Sequence, residues 1–452
     1  MRITRHYLTV AGRRVHYRKC GKGPPLLMVH QSPRSSAEYE ALMQQWGADF
    51  TCIAPDTPGF GQSDPLPQEW PDINDYADSV VEFARALGLR QTAAYGFHSG
   101  GIILVSALKR HPELFSGLAV GGYAVWTADE MRIFGESYLP PFLPSLYGEH
   151  LPWLWHRIME QSWFFPWFDV RDGARLPGAH DDPRATHAIV MEMLDAGNAY
   201  AKGYGAVLRA PRDIPPVDSV TPPVLISAYD GDPLQAHIDR LGPMPAGWSA
   251  RKVASPAAHH ALSLDFLCQH AGPLVEHFAE DAVAGFVPIT ADGFDGLIHW
   301  QGSGERIALH PPGGEGALLD APDAVCIDLP GHGLSSRWSG SAPTTAAAWC
   351  DVAAAAARAL GCSGVDEPPP PIGDPARLFP DLSPDRHGAY LTNAWSITRA
   401  RHFFVPWYEA SKANAIAFDP AAITPERLAL EHRALLRASA AHAYATALQS
   451  GE

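Results

Sequence analysis

The sequence predicts an α/β fold: a mostly parallel sheet with helices on both faces, a helical insertion at its carboxyl edge, and a truncated second copy behind it. Three observations carry this. Short apolar runs alternate with stretches of helical periodicity through the first 124 residues, the pattern of a sheet covered on both sides. Residues 125–217 have another, aromatic-rich character before the pattern resumes. The rest of the chain then echoes its beginning.

The opening "HYLTVAGRRVHYRK" alternates polar and apolar residues around Ala11-Gly12 and reads as a hairpin. "PPLLMVH", ending at His30, and "FTCIAPD", ending at Asp56, are short apolar strands. "INDYADSVVEFARALGL" spaces its apolar residues along one helix face and stops at Gly88. "QTAAYGF" is the next strand, "GGIILVSALKRHP" the helix after it, and "GLAVGGY" and "PPVLISAYD" are later strands. Between those two lie "LPWLWHRIMEQSWFFPWF" and "THAIVMEMLDAGNAYAKGYGAVL". Placed there, they form a helical cap over the sheet edge where open α/β sheets bind ligands. Aromatic residues at helical spacing also build cores, and a cap does both. The expected divisions are a core of 1–124 and 218–283, a cap of 125–217, and a repeat of 284–452.

The repeat is read from paired segments. "HYRKCGKGPPLLMVH" is echoed by "IHWQGSGERIALH", "APDTPGFGQSD" by "CIDLPGHGLSS", and "FARALGL" by "AARALGC". Farther on, Leu151/Leu391, Trp155/Trp395, Pro166/Pro406, Trp167/Trp407, Tyr204/Tyr444 and Leu208/Leu448 all stand 240 apart. The offset is 273 before the gap, at Leu87/Leu360, so the second copy is 33 residues shorter. The missing stretch covers "QTAAYGF", the glycine-flanked turn after it and the following helix, with "VDEPPPPIGDP" in their place. A copy without those parts is a scaffold rather than a second active site.

At 452 residues the chain has room for two or three domains at about 150 residues each. Its 34 basic and 49 acidic side chains give a net charge of −15, so no basic field points to nucleic acid or an anionic membrane. No run approaches the roughly 18 apolar residues of a membrane span, and the start has no apolar signal region. Six scattered cysteines without a C-x-x-C pair read as reduced thiols, and a cytoplasmic protein is expected. No cluster has metal-ligand spacing and no Gly-x-Gly-x-x-Gly follows a strand, so neither a metal nor a nucleotide cofactor is indicated.

"MVHQSP", "APDTPGFGQSD", "YGFHSGG", "SAYDGDP" and "AAHHALS", in that order, resemble the α/β-hydrolase superfamily, over residues 1 to 283 and, truncated, over 284 to 452. The resemblance implies an α/β-hydrolase fold whose strained strand-to-helix turn carries the nucleophile, usually as Gly-x-Ser-x-Gly. Here Gly96 and Gly100 bracket His98, and the serine is Ser99. So tight a turn needs small residues two places before and after its tip. Position 98 satisfies this, whereas position 99 would put Phe97 at a clash, so His98 is expected at the tip. Histidine also tolerates positive φ better than most residues.

By the same resemblance the Ser99 N–H and, after His30, the Ser32 N–H are the expected oxyanion-hole donors. "AYDGDP" offers Asp232 as the acid, with Asp230 a poorer choice. The late histidine is His259, preceded by the small Ala258, or His260, followed five places on by Asp265. Two imidazoles and a carboxylate would form a proton relay. His98 either attacks an acyl carbon or moves a proton. The leading expectation is a cofactor-independent hydrolase cleaving an ester, thioester or C–C bond of a small, fairly apolar organic molecule. A lyase or decarboxylase using His98 as base is one alternative, and a non-catalytic binding protein is another. A homodimer and an internal pseudo-dimer are both compatible with the repeat.

Overall fold

The computed structural model describes residues 1–279 and 283–450. They fall into two units: Met1–Leu143 with His156–Glu280, and Pro144–Trp155 with Asp281–Glu452.

In the first unit, β1 (Thr4–Val10) and β2 (Arg13–Gly21) form an antiparallel hairpin turning at Ala11 and Gly12, both at positive φ. β3 (Pro25–Val29), β4 (Thr51–Pro55), β5 (Thr92–Phe97), β6 (Phe115–Gly121), β7 (Val224–Tyr229) and β8 (Trp248–Val253) complete an eight-stranded sheet of order β1-β2-β4-β3-β5-β6-β7-β8. From β4 onward all pairings are parallel. α1 (Glu40–Trp46) and α8 (Pro256–Gln269) cover one face, and α2 (Ile73–Ala86) and α3 (Ser99–Arg110) the other. β3 explains why its sequence is apolar without a break. Leu26 and Met28 pack toward α1 and α8, while Leu27 and Val29 pack toward α2 and α3, because successive side chains of a strand point to opposite faces.

The insertion between β6 and β7 carries α4 (Ala128–Ser137), α5 (His150–Gln161), α6 (Pro183–Ala196) and α7 (Ala199–Arg209). α6 docks through buried Glu192, whose carboxylate pairs with the Arg34 guanidinium and accepts the Ser35 N–H at 3.1 Å and hydroxyl at 2.6 Å. α7 meets the loop after β4, where Gly203 leaves room for Phe60.

In the second unit, β9 (Ala284–Ala291), β10 (Phe294–Gly302), β11 (Arg306–Leu309), β12 (Val325–Ile327) and β13 (Gly364–Asp366) form a sheet of order β13-β11-β12-β10-β9. Strand for strand, this is the order and direction of β5-β3-β4-β2-β1. β13 is a three-residue strand paired with β11, in a stretch where no strand was expected. Four prolines follow after Glu367, and proline has no N–H to extend a ladder. Helices α9 (Ala346–Leu360), α10 (Pro375–Leu378), α11 (Ala389–Ala400), α12 (Pro425–Arg437) and α13 (Ala441–Ser450) complete the unit.

The same buried staple occurs in both units. His16 Nδ1 lies 2.8 Å from Asp56 Oδ2, and His299 Nδ1 lies 2.9 Å from Asp328 Oδ2. Gly61 and Gly333, both at positive φ, sit so close to these carboxylates that a Cβ would overlap them. Burial pushes the Asp56 carboxyl up, but His16 and Arg18 beside it hold it well below its usual range. "PGFGQSD" is thus a structural loop anchor.

Residues 144–155, expected in the cap, group instead with the second unit, and reciprocal contacts explain why. Trp155 Nε1 donates to Arg386 O at 3.1 Å, and Trp395 Nε1 donates to Leu146 O at 3.3 Å. Gly388 leaves space for the Trp155 ring and Gly148 for the Trp395 ring. Each contact recurs with its partners exchanged and shifted by 240, as in a two-fold pairing. Among the described residues no helix is long and apolar enough to cross a membrane.

Candidate active site

β5 brings the chain to the carboxyl edge of the sheet, α3 carries it away, and His98 is the one residue between them. Its backbone sits at φ 47, ψ −114, a conformation costing about 1–3 kcal/mol for a residue with a Cβ. Close approach on both sides holds it there. A Cβ at Gly96 would lie 2.7 Å from the backbone of Gly100 and Gly101, and one at Gly100 would overlap the Val29 carbonyl oxygen. The His98 N–H donates to Gly121 O at 2.8 Å, and the Phe97 N–H to the Tyr39 hydroxyl at 3.2 Å.

From this bend the His98 ring reaches the loop after β7, where Nε2 lies 3.1 Å from Asp232 Oδ1. The His98 side chain is 24% exposed, whereas the Asp232 side chain is fully buried. The same Oδ1 accepts the Leu234 N–H at 2.8 Å, while Oδ2 is buried without a partner. Burial pushes the Asp232 carboxyl up, but His98 and the Leu234 N–H outweigh it, and the group stays below its ordinary value. A carboxylate here fixes the neutral ring as the Nε2–H tautomer, leaving the lone pair on Nδ1.

Two glycines that sequence reasoning passed over make room for this pair. Gly122, at φ 58, sits where a Cβ would overlap the His98 ring and lie 2.8 Å from Asp232 Oδ2. Beside it, a Cβ at Gly121 would overlap the Phe97 ring and lie 2.9 Å from the His259 ring. The available signal was the paired glycine in "GLAVGGY", at the end of β6.

Among the described residues, neither late histidine is hydrogen-bonded to His98 or Asp232. His259, wholly buried in α8, has both ring nitrogens occupied, Nδ1 by Ser227 Oγ at 2.8 Å and Nε2 by the Tyr95 hydroxyl at 2.9 Å. Burial, then the neighbouring His260, brings its pKa down to about 4, so it is a neutral internal ring. His260 faces elsewhere, lining a cavity of about 270 Å³ with Gln31, Glu38, Leu42, Phe97 and Tyr229. Phe97 stacks on His98 with centroids 4.0 Å apart, and on Tyr229 at 6.1 Å. Asp230 is exposed and accepts from Gln235 Nε2.

Of the two expected oxyanion donors, one is already engaged. The Ser32 N–H already donates to Ser99 Oγ at 2.6 Å. Ser99 is buried and turned toward that loop. Its own N–H heads α3, where no intrahelical acceptor exists. Among the described residues no group of three or more His, Cys, Asp or Glu side chains could hold a metal ion.

Residues 24–161 match the family model described as alpha/beta hydrolase fold. Haloalkane dehalogenase 2 of Mycobacterium tuberculosis (strain ATCC 25618 / H37Rv) is 31% identical over 135 residues, 30% of this chain and 47% of that protein. Soluble epoxide hydrolase of Corynebacterium sp. (strain C12) is 34% identical over 101 residues, 22% of this chain and 35% of that protein. The chain thus spans about half the length, or less, of the curated relatives it matches. Among solved structures, the epoxide hydrolase CorEH without ligand aligns with 59% of this chain and 99% of its own, at 16% identity and a TM-score of 0.43. The family model falls on the segment that holds β3, β5 and the bend at His98, and over that segment the chain is similar to the alpha/beta hydrolase fold family.

Proposed function

We propose that the first unit is a cofactor-independent hydrolase in which His98 is the general base and Asp232 its positioning carboxylate. The observation that carries this is the 3.1 Å contact between His98 Nε2 and Asp232 Oδ1 at a strained, partly exposed bend. With Nε2–H held by the carboxylate, Nδ1 takes a proton from water. The resulting hydroxide attacks the electrophilic carbon of an ester, thioester or C–C bond activated by a neighbouring carbonyl, and the leaving group recovers the proton. Direct attack by Nδ1 on the same carbon would instead form an acyl-imidazole that water then cleaves, and an adduct mass on His98 would put that route in place of base catalysis.

The same observation favours a second reading, in which Nδ1 removes a proton from carbon in a lyase, or takes the proton of the substrate's carboxyl group and returns it to the carbon as CO2 leaves in a decarboxylase. Turnover in ¹⁸O water separates the two. The hydrolase reading expects ¹⁸O in the product and no adduct mass on His98. Solvent deuterium at carbon without ¹⁸O would replace it with the lyase. Asp232→Asn is expected to lower kcat about 10²–10⁴-fold with KM little changed, since it releases the tautomer without removing the base. Turnover undiminished in His98→Ala would refute both readings and leave a binding protein.

A further inference from the structure

We propose that Arg157, in α5, binds the carboxylate of a small organic molecule within the cap. The guanidinium is 1% exposed. Nη1 donates to Gln161 Oε1 at 2.6 Å, but Nε and Nη2 are buried with no hydrogen-bond partner. Among the described residues no carboxylate pairs with it. The Trp167 and Tyr200 ring faces stand 5.4 Å and 5.8 Å from the guanidinium carbon, and Arg157 is also close enough to the Tyr200 hydroxyl to oppose the rise that burial gives its pKa. Such faces attract a cation but give its N–H groups no directed acceptor. A dehydrated cation without an anion is costly, and one is kept where something else supplies the negative charge. Nε and Nη2 share one edge of the planar fork, the edge that takes both oxygens of a single carboxylate.

The second unit supplies an independent comparison. At the 240-residue offset that relates Trp155 to Trp395, Arg157 corresponds to Ile397, which is also buried. Tyr138 and Tyr200 correspond to Leu378 and Ala440. The Trp167 indole donates to Tyr138 O at 3.2 Å and the Trp407 indole to Leu378 O at 3.1 Å, so the scaffold is the same without the cation. Gln161 corresponds to Arg401, which burial lowers to about 10 despite Glu431 nearby, and whose Nη2 is also buried without a hydrogen-bond partner. Packing at the Arg157 position is therefore met by isoleucine in the second unit. The ligand proposed is a carboxylate on an apolar body, chosen for the aromatic rings that surround the guanidinium. Its being the substrate rests on the function proposed above; its binding does not.

The test is the thermal midpoint of the full chain with benzoate, phenylacetate or hexanoate, each against its neutral amide, and with inorganic phosphate. Wild type is expected to rise about 2–4 °C with at least one carboxylate and not with its amide. His98→Ala should keep that rise. Arg157→Ile should lose it while its own midpoint stays level or climbs, since an unpaired buried charge is gone; Arg157→Lys should weaken it at least tenfold in concentration. No carboxylate-selective rise in wild type, an equal rise with phosphate, or an undiminished rise in Arg157→Ile would each overturn the assignment. Failure of the dyad appears separately, as turnover that survives His98→Ala while carboxylate binding is unchanged.

Discussion

At the scale of single residues, the site depends on what is absent as much as on what is present. His98 reaches Asp232 across the space that Gly122 leaves open. Gly122→Ala is therefore expected to lower kcat by at least about 10²-fold, because a methyl at that position forces the ring off the carboxylate. A kcat within twofold of wild type would show that the contact is not needed. His259 teaches the converse. A histidine in the right part of the chain can instead have both of its nitrogens held by a tyrosine and a serine.

At the scale of elements, buried polar contacts decide how the helices dock. Glu192 on α6 answers both Arg34 and Ser35 in the loop after β3. Glu192→Ala leaves the Arg34 cation without that partner and is expected to cost about 3 kcal/mol, measured by chemical denaturation, with faster proteolysis of residues 183–209. The reciprocal indoles of the second unit make a matched pair of predictions. Trp155→Ala and Trp395→Ala each remove a buried ring and one hydrogen bond, and each is expected to cost about 3–5 kcal/mol. Costs differing by more than about 2 kcal/mol would mean that the two sides are not equivalent. Much at this scale was legible in the chain. Apolar runs gave the strands, Gly96 and Gly100 bracketed the bend, and Trp155/Trp395 fell at one offset. The β13 stub was not legible, because three residues before a proline run carry too little periodicity to register as a strand.

At the scale of the whole molecule, buried neutral histidines set the response to acid. Burial lowers His16, His332 and His432 to about 3 and His259 to about 4. Unfolded, each titrates near 6.5, so below that pH the unfolded chain binds more protons than the folded one. Their contribution is complete above about pH 6.5 and is lost as the pH falls toward 4, by up to about 2 kcal/mol per ring at pH 5. The thermal midpoint should accordingly drop steeply between pH 6.5 and 5. A flat profile over that range would show that the rings are not held neutral.

The chain by itself determined the parallel sheet, the inserted cap and the bend at His98, because these follow from local rules: alternation, periodicity, and the glycines a tight turn demands. It also singled out His98 and Asp232, but not that they touch. They stand 134 residues apart, and whether an imidazole meets a carboxylate or is claimed by Tyr95 and Ser227 depends on where separate strands end. Side chains from distant segments compete for the same partners, and only the folded arrangement decides which of them are close enough to win.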